Sequence, residues 1–273
     1  MDSISAFFLG AIQGLTEFLP VSSSGHLVIG QKLFGFEFHD IFFDVVLHLG
    51  TLIAVLIVYR KVIIDIIKEV FEAFLKRKNT TGLMVLLYMF IASIPTALIG
   101  LGFKDQFEAL FQNIQAVAAC LAFTGAVLLL QKFLRKEHKQ EALSEIRLNP
   151  DLLKNFSWKV ALFIGIAQSL AIAPGVSRSG MTISMGLILG LAGAEAALFS
   201  FLIAIPAILG ASLLQLKDLG DQVIQWQSVS IGFGSALIFG YLGLIAVLKL
   251  VRKQRLELFS VYLWVLSIAV LML

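Results

Sequence analysis

The chain has 273 residues, 59% of them hydrophobic before glycine is counted and only 14% charged, against about 45–50% apolar and 25% charged in a soluble domain. With a mean hydropathy of +0.93 this excludes an ordinary soluble globular protein and makes lipid the solvent for most of the chain. The formal charge of +3 comes from cations between apolar runs, where the positive-inside rule explains them, so no nucleic-acid partner follows. The single cysteine, Cys120, leaves no intramolecular disulfide or cysteine metal site and reads as core filler.

In chain order, apolar runs at about 4–19 and 25–36 are short for the roughly 20 residues that cross hydrocarbon, and a Pro- and Ser-bearing turn joins them. That suits a re-entrant helical hairpin. Asp2 replaces a basic leader and no small-residue cleavage site lies in 1–19, so no removable signal peptide is read. Full spans are expected at 41–59, 83–103 and 114–131. A second short pair at 158–173 and 180–193 reads as another hairpin, followed by spans at 195–216, 229–248 and 258–273. The expected fold is an all-α polytopic membrane protein of one domain: repeat one about 1–134, a cytoplasmic linker about 135–157, and repeat two about 158–273.

Cations set the orientation. They crowd into 60–78 (Arg60, Lys61, Lys68, Lys76, Arg77, Lys78), 132–159 (Lys132, Arg135, Lys136, Lys139, Arg147, Lys154, Lys159) and 249–255 (Lys249, Arg252, Lys253, Arg255), which are read as cytoplasmic loops. The loops near 104–113 and 217–228 hold only Lys104 and Lys217 and face outward, as do both termini.

An internal repeat organises the chain. Gln13-Gly-Leu-Thr-Glu17-Phe-Leu-Pro-Val21-Ser-Ser-Ser-Gly25 returns 155 residues later as Gln168-Ser-Leu-Ala-Ile172-Ala-Pro-Gly-Val176-Ser-Arg-Ser-Gly180. Each copy is a hairpin tip followed by three spans. With the orientation above, the first hairpin opens outward and the second inward, so the two repeats have inverted topology, and their polar tips meet near the midplane around a cavity.

Glu17 and Arg178 are the ionisable residues most clearly embedded in apolar sequence, which points to a shared wet site or to a structural pair. Ser22-Ser23-Ser24-Gly25 and Ser177-Arg178-Ser179-Gly180 each follow a turn and open a short helix, so hydroxyls, free N–H groups and the positive dipole end converge. Such tips suit an anion, and the forked donors of Arg178 suit a phosphate or diphosphate. Gln13 and Glu17, four apart on one helix face, are candidate ligands for a divalent cation, with Glu17 alternatively a general base. His26 is a candidate proton carrier, and Asp44 with His48 forms another such pair, read as support for the site or as packing. Glu195 reads as a dipole partner at a span start, and Trp158, Trp226 and Trp264 as residues near span ends. Gly10/Gly14 and Gly186/Gly190 read as close-packing motifs. His39 and His138 carry no inference.

The stretch Gln13 to His26, together with Pro174-Gly-Val-Ser-Arg178-Ser-Gly-Met-Thr182, resembles the bacterial undecaprenyl-diphosphate phosphatase family of bacitracin-resistance proteins (UppP/BacA type), over the whole chain. The resemblance implies an integral enzyme of the bacterial inner (plasma) membrane that removes one phosphate from undecaprenyl diphosphate, recycling the lipid carrier for peptidoglycan synthesis, with its site toward the outer side. It implies a divalent cation, Mg2+ or Ca2+. By position it places the acidic motif on Gln13 and Glu17, the nucleophilic serine on Ser23, the histidine on His26 and the phosphate-binding arginine on Arg178. The expected mechanism has Arg178 and the Ser22, Ser24, Gly25, Ser177, Ser179 and Gly180 groups holding the diphosphate, Ser23 or water attacking, and Glu17 and His26 handling protons. The partners read are the polyprenyl diphosphate lipid and membrane lipid, with a homo-oligomer left open. A transporter or flippase of a polyprenyl phosphate is the competing reading, because inverted repeats with broken helices also build transporters.

Overall fold

Short polar residues start the helices at the ends of the apolar runs. In the computed structural model, which describes residues 2–35, 41–135, 155–217, 225–251 and 255–272, Asp2 caps α1 (Ser3–Glu17) by accepting the Ile4 and Ser5 N–H groups at 2.9 Å. Thr80, Asn113 and Ser157 cap α5 (Thr81–Gly102), α7 (Ile114–Leu134) and α8 (Trp158–Leu170) in the same way. The other elements are α2 (Ser23–Leu33), α3 (Ile41–Val58), α4 (Arg60–Lys76), α6 (Lys104–Phe111), α9 (Arg178–Ile188), α10 (Gly193–Lys217), α11 (Trp226–Val251) and α12 (Leu258–Leu271). Among the described residues all regular structure is helical. Expectations on His39, His138, most of the 135–157 linker, most of the 217–228 loop and the cations Lys136, Lys139, Arg147, Lys154, Arg252 and Lys253 lie outside the described residues.

Helices α5, α7, α10 and α11 are long and apolar enough to cross a membrane, and α3 joins them if its bent continuation is counted. The expected last span is shorter: α12 has 14 residues, about 21 Å at 1.5 Å per residue, against a hydrocarbon core of about 30 Å. The two expected hairpins are α1–α2 and α8–α9, each pair in direct contact.

The segment 60–78, expected as a cationic loop, is mostly helix. α3 breaks at Tyr59 and turns by 75° into α4. Its apolar residues recur at helical spacing, with Val62, Ile66 and Ala73 buried against the bundle. The intervening charges hid that period. The segment 104–113, expected as an outward loop, likewise contains α6, where Lys104 and Glu108 pair at 3.7 Å across one turn.

Packing between the halves is reciprocal. α1 lies along α11 while α8 lies along α5; α3 touches α11 while α10 touches α5; and α3–α10 and α7–α12 pair across the middle. One apolar cluster accordingly mixes Phe18, Tyr59 and Leu128 with Ile183, Leu202 and Val247. Glycines allow the closest contacts: a Cβ on Gly14 would sit 2.5 Å from Gly240 N and 2.8 Å from Ala236 O, and one on Gly165 would strike the Ala92 backbone. Gly186 packs on Ala196 in the same way, whereas Gly190, expected as its packing partner, has φ +92° and ends α9. Trp264 lies in the middle of α12, where its indole N–H donates to Ala122 O of α7 at 3.1 Å. Trp158 and Trp226 are exposed at helix starts, and Glu195 accepts the Ala192 N–H at 2.9 Å, as expected of a first-turn acid.

These contacts predict a contrast between a glycine of the cross-half seam and one on an open face of α11. Gly14→Ala should destabilise the protein by about 1–3 kcal/mol through overpacking, whereas Gly234→Ala, with nothing within 4 Å of the new methyl, should be neutral or stabilising by up to about 1 kcal/mol. Thermal unfolding in detergent measures both, and equal midpoints would contradict the close contact.

Candidate functional site

The two hairpin turns meet. α1 ends at Glu17 and the chain re-enters helix at Ser23; α8 ends at Leu170 and the chain re-enters helix at Arg178. Both turns need left-handed backbone, and they place it differently: Ser22 takes it at φ +68° and Gly175 at φ +96°. Only glycine fits at 175, because a Cβ there would lie 2.5 Å from Val117 O.

The second arms start alike. Ser22 Oγ accepts the Gly25 N–H at 3.3 Å and Ser177 Oγ accepts the Gly180 N–H at 3.0 Å. Ser24 Oγ lies 3.2 Å from Ser22 Oγ, and Ser179 Oγ 3.3 Å from Ser177 Oγ. Ser23 and Arg178 therefore hold matching places, the first residue of α2 and of α9.

Those two residues converge on one carboxylate. Arg178 Nη2 donates to Glu17 Oε1. On the other oxygen, Glu17 Oε2 accepts Ser23 Oγ at 2.5 Å and Gln13 Nε2 at 3.0 Å. Glu17 is only 7% exposed and Ser23 8%. The turns also touch directly: Ser179 Oγ donates to Leu19 O at 2.9 Å, Gly25 faces Gly175, and Gly180 faces Pro20.

Arg178 is aimed by its surroundings. Its Nη1 donates to Ser200 O at 3.3 Å, its own carbonyl accepts Thr182 Oγ1 at 2.8 Å, and Thr182 Oγ1 is 2.6 Å from Ser200 Oγ. Behind the turn, Thr124 Oγ1 accepts the Ser177 N–H at 3.1 Å and donates to Gly175 O at 3.0 Å.

Gln13, Glu17, Ser23 and Arg178 are thus brought together, with Ser22, Ser24, Gly25, Ser177, Ser179 and Gly180 framing them. His26 is not among their contacts. Its Nδ1–H donates to Ser22 O at 2.8 Å, which leaves Nε2 to accept the Tyr262 hydroxyl at 2.6 Å, and the two rings stack. His48 takes the expected place of a histidine at the acid, with Nε2 3.5 Å from Glu17 Oε2. The Asp44/His48 spacing was its only signal. Thr124, Ser200 and Tyr262 gave none, being single polar residues in apolar spans.

A divalent cation meets a partial donor set. Among the described residues no three of His, Cys, Asp and Glu form a metal-ligating group. Around Glu17 the protein contacts are donors, but Gln13 Oε1 is buried beside it without a partner. One carboxylate and one free amide oxygen fit a cation whose remaining oxygens come with an anionic ligand, the usual habit of Mg2+ with phosphates. Chemically the arrangement offers an arginine and two helix N-termini for an anion, beside a hydroxyl already bonded to a carboxylate.

A family model described as "Bacitracin resistance protein BacA" matches residues 6–269. Similar curated proteins include one named undecaprenyl-diphosphatase from Carboxydothermus hydrogenoformans, 41% identical over 100% of this chain and 98% of that protein. Proteins of the same name from Methanobrevibacter smithii and Halothermothrix orenii are 41% and 39% identical over the same shares.

Thr124→Val should leave the buried Ser177 N–H without an acceptor and cost about 1–3 kcal/mol, while Thr124→Ser should stay near the parent. Thermal midpoints of the purified variants read this; a valine variant as stable as the serine one would remove Thr124 from the support of the second turn.

Proposed function

Since this chain belongs to the bacitracin resistance protein BacA family, we propose that its hairpin junction is where undecaprenyl diphosphate is hydrolysed to undecaprenyl phosphate and inorganic phosphate. The chain is a multi-pass membrane enzyme, and its product is the lipid carrier returned to cell-wall synthesis. One observation carries the assignment of the site: the Ser23 hydroxyl, 2.5 Å from Glu17 Oε2, sits on the same carboxylate that Arg178 reaches from the other hairpin.

Arg178 exchanges Glu17 for the diphosphate oxygens, and the first-turn N–H groups of α2 and α9 add the positive ends of two helices. Glu17 takes the proton of Ser23 Oγ, which attacks the terminal phosphorus; the Oγ–P bond forms, the anhydride P–O bond breaks, and undecaprenyl phosphate leaves. Glu17 passes that proton to the departing phosphate; water then hydrolyses the phosphoserine, giving its proton to Glu17, which returns it to Ser23 Oγ as inorganic phosphate departs. Gln13 Oε1 and Glu17 would hold the divalent cation, Mg2+ or Ca2+, whose contribution is to offset phosphate charge. His26 ties α2 to α12 through Tyr262 and lies outside this contact set. The polyprenyl tail lies in lipid or along the bundle.

The two repeats are inverted in this reading, and the reciprocal packing of α1 on α11 and α8 on α5 supports it. The cations on and beside α4 support a cytoplasmic position for that end of α3 at a bacterial plasma membrane, with the first hairpin and the reaction site opening outward.

Phosphate release from undecaprenyl diphosphate by purified protein in detergent, with no second compartment, tests the reaction; its absence would favour a carrier of lipid phosphates. In that assay Arg178→Lys should lose about 100-fold or more in turnover, because the charge remains and the fork does not. Glu17→Gln should be inactive yet folded. In a Cys120→Ser background, cysteines at Asp2 and His39 should label from outside with an impermeant thiol reagent, and those at Lys78 and Glu145 only after the membrane is opened. Labelling of Asp2→Cys from the cytoplasm alone would overturn the orientation.

A further inference from the structure

α4 is too charged to cross a membrane and too apolar on its open side to sit in water. Seven of its 17 residues are charged, a load that hydrocarbon does not accept. α3 turns by 75° at Tyr59 to enter it, and a helix at that angle to a span runs along the membrane surface. It also passes beside the start of α5, where Glu69 accepts the Gly82 N–H at 2.7 Å and the Thr80 hydroxyl donates to Glu69 O at 3.0 Å. α4 therefore lies at the level where α3 ends and α5 begins, the boundary between acyl chains and water.

At about 3.6 residues per turn its side chains fall into three faces. Val62, Ile66 and Ala73 are buried against the bundle. Asp65, Glu69, Glu72 and Lys76 form a polar face. Ile64, Ile67, Phe71, Phe74 and Leu75 form the third, and all five are exposed, Phe71 by 68% and Phe74 by 76%. Lys61 and Lys68, two turns apart and both exposed, stand on the edge between the apolar face and the polar one. Neither forms an ion pair among the described residues, whereas Lys76 is paired with Glu72 at 3.2 Å and Glu69 is bound to α5.

This order of faces is that of a helix lying in a lipid surface. The apolar side chains enter the acyl region, the lysines lay their stems over lipid and raise their ammonium groups to the phosphates, and the acids turn to water. From Arg60 to Lys78 six cations stand against three acids, so the surface that fits is a negative one.

We propose that α4 is an interfacial helix that binds anionic phospholipid, with its exposed apolar face among the acyl chains and Lys61 and Lys68 at the headgroup phosphates. This role depends on the membrane setting of α3 and α5 and is independent of the chemistry at the hairpin junction.

The test places one bimane-labelled cysteine in a Cys120→Ser background of the full chain, as Phe74→Cys, Glu72→Cys or, half-way along α5, Phe90→Cys. The proteins are reconstituted in vesicles of phosphatidylcholine and phosphatidylglycerol, with a nitroxide on the acyl chain of one lipid or the other, so that quenching reads which lipid surrounds the label. Expected are strong quenching for Phe74→Cys, weak quenching for Glu72→Cys, and a preference for phosphatidylglycerol at position 74 that position 90 does not show. Lys61→Gln and Lys68→Gln should each reduce that preference by up to about fivefold, the weight of one cation near a negative lipid surface. High salt should reduce it in the protein that keeps both lysines, a reading that stands if the lysine variants fail to fold. Equal quenching at 72 and 74, or a label at 74 shielded from both lipids as by a second copy of the chain, would overturn the proposal. So would a preference at 74 no greater than at 90, or one that neither the lysine substitutions nor salt reduces.

Discussion

The Glu17–Arg178 contact is the constraint around which the rest is arranged. Either charge alone would cost on the order of 2.5–3.5 kcal/mol at a lipid-facing helix centre, so each has to end on a turn that reaches the other. That requirement explains why two helical arms, α1 and α8, stop after 15 and 13 residues. It explains the serine caps that restart the chain, and the glycine seams that bring α1 and α8 close against their partners. In the proposed mechanism the pair also competes with substrate, because the donors that neutralise Glu17 are those a diphosphate needs. A buried ion pair is weak evidence of stabilisation by itself; here it links the two turns and balances their charges.

The repeat supplies the frame and the differences between its copies supply the chemistry. Matching positions carry the same caps, Ser22 with Ser177 and Gly25 with Gly180, and the same unpartnered amide oxygen in Gln13 and Gln168. Where the copies diverge, the reactive groups appear. Ser23 faces Arg178, and Glu17 stands where the second copy has Ile172. In the proposed mechanism one turn thus brings acid and nucleophile, and the other brings the cation that binds phosphate.

Much of this was legible because the signals were local. The hairpins showed as short apolar runs around polar turns, the repeat as an ungapped match, and the Glu17–Arg178 meeting followed from two charges that had no other solvent. α4 was not legible as helix, because a cation count registers orientation and ignores the 3.6-residue period of Val62, Ile66 and Ala73. Gly190 and Trp264 misled for a different reason. Spacing alone does not separate a glycine that packs from one that turns the chain, nor an indole at a headgroup from one that reaches a carbonyl between two helices. The place of His48 depends on how α3 is rotated against α1, and that rotation is fixed by tertiary packing. The histidine next to the serine run drew the attention, while the one a helix away touches the acid.

The exchange of partners between the halves has a consequence for biosynthesis. α1 is among the first segments to leave the ribosome, but the backbone it must lie against, around Gly240, is made more than two hundred residues later. At roughly 5–20 residues per second the first hairpin waits on the order of ten to fifty seconds with a carboxylate and several hydroxyls uncovered. A re-entrant shape lets it wait at the water boundary instead of committing those groups to lipid. The reaction centre is therefore a late product of assembly, completed only when the second half closes over the first, and a chain truncated before α11 holds the acid and the serine but lacks the surface that seats them.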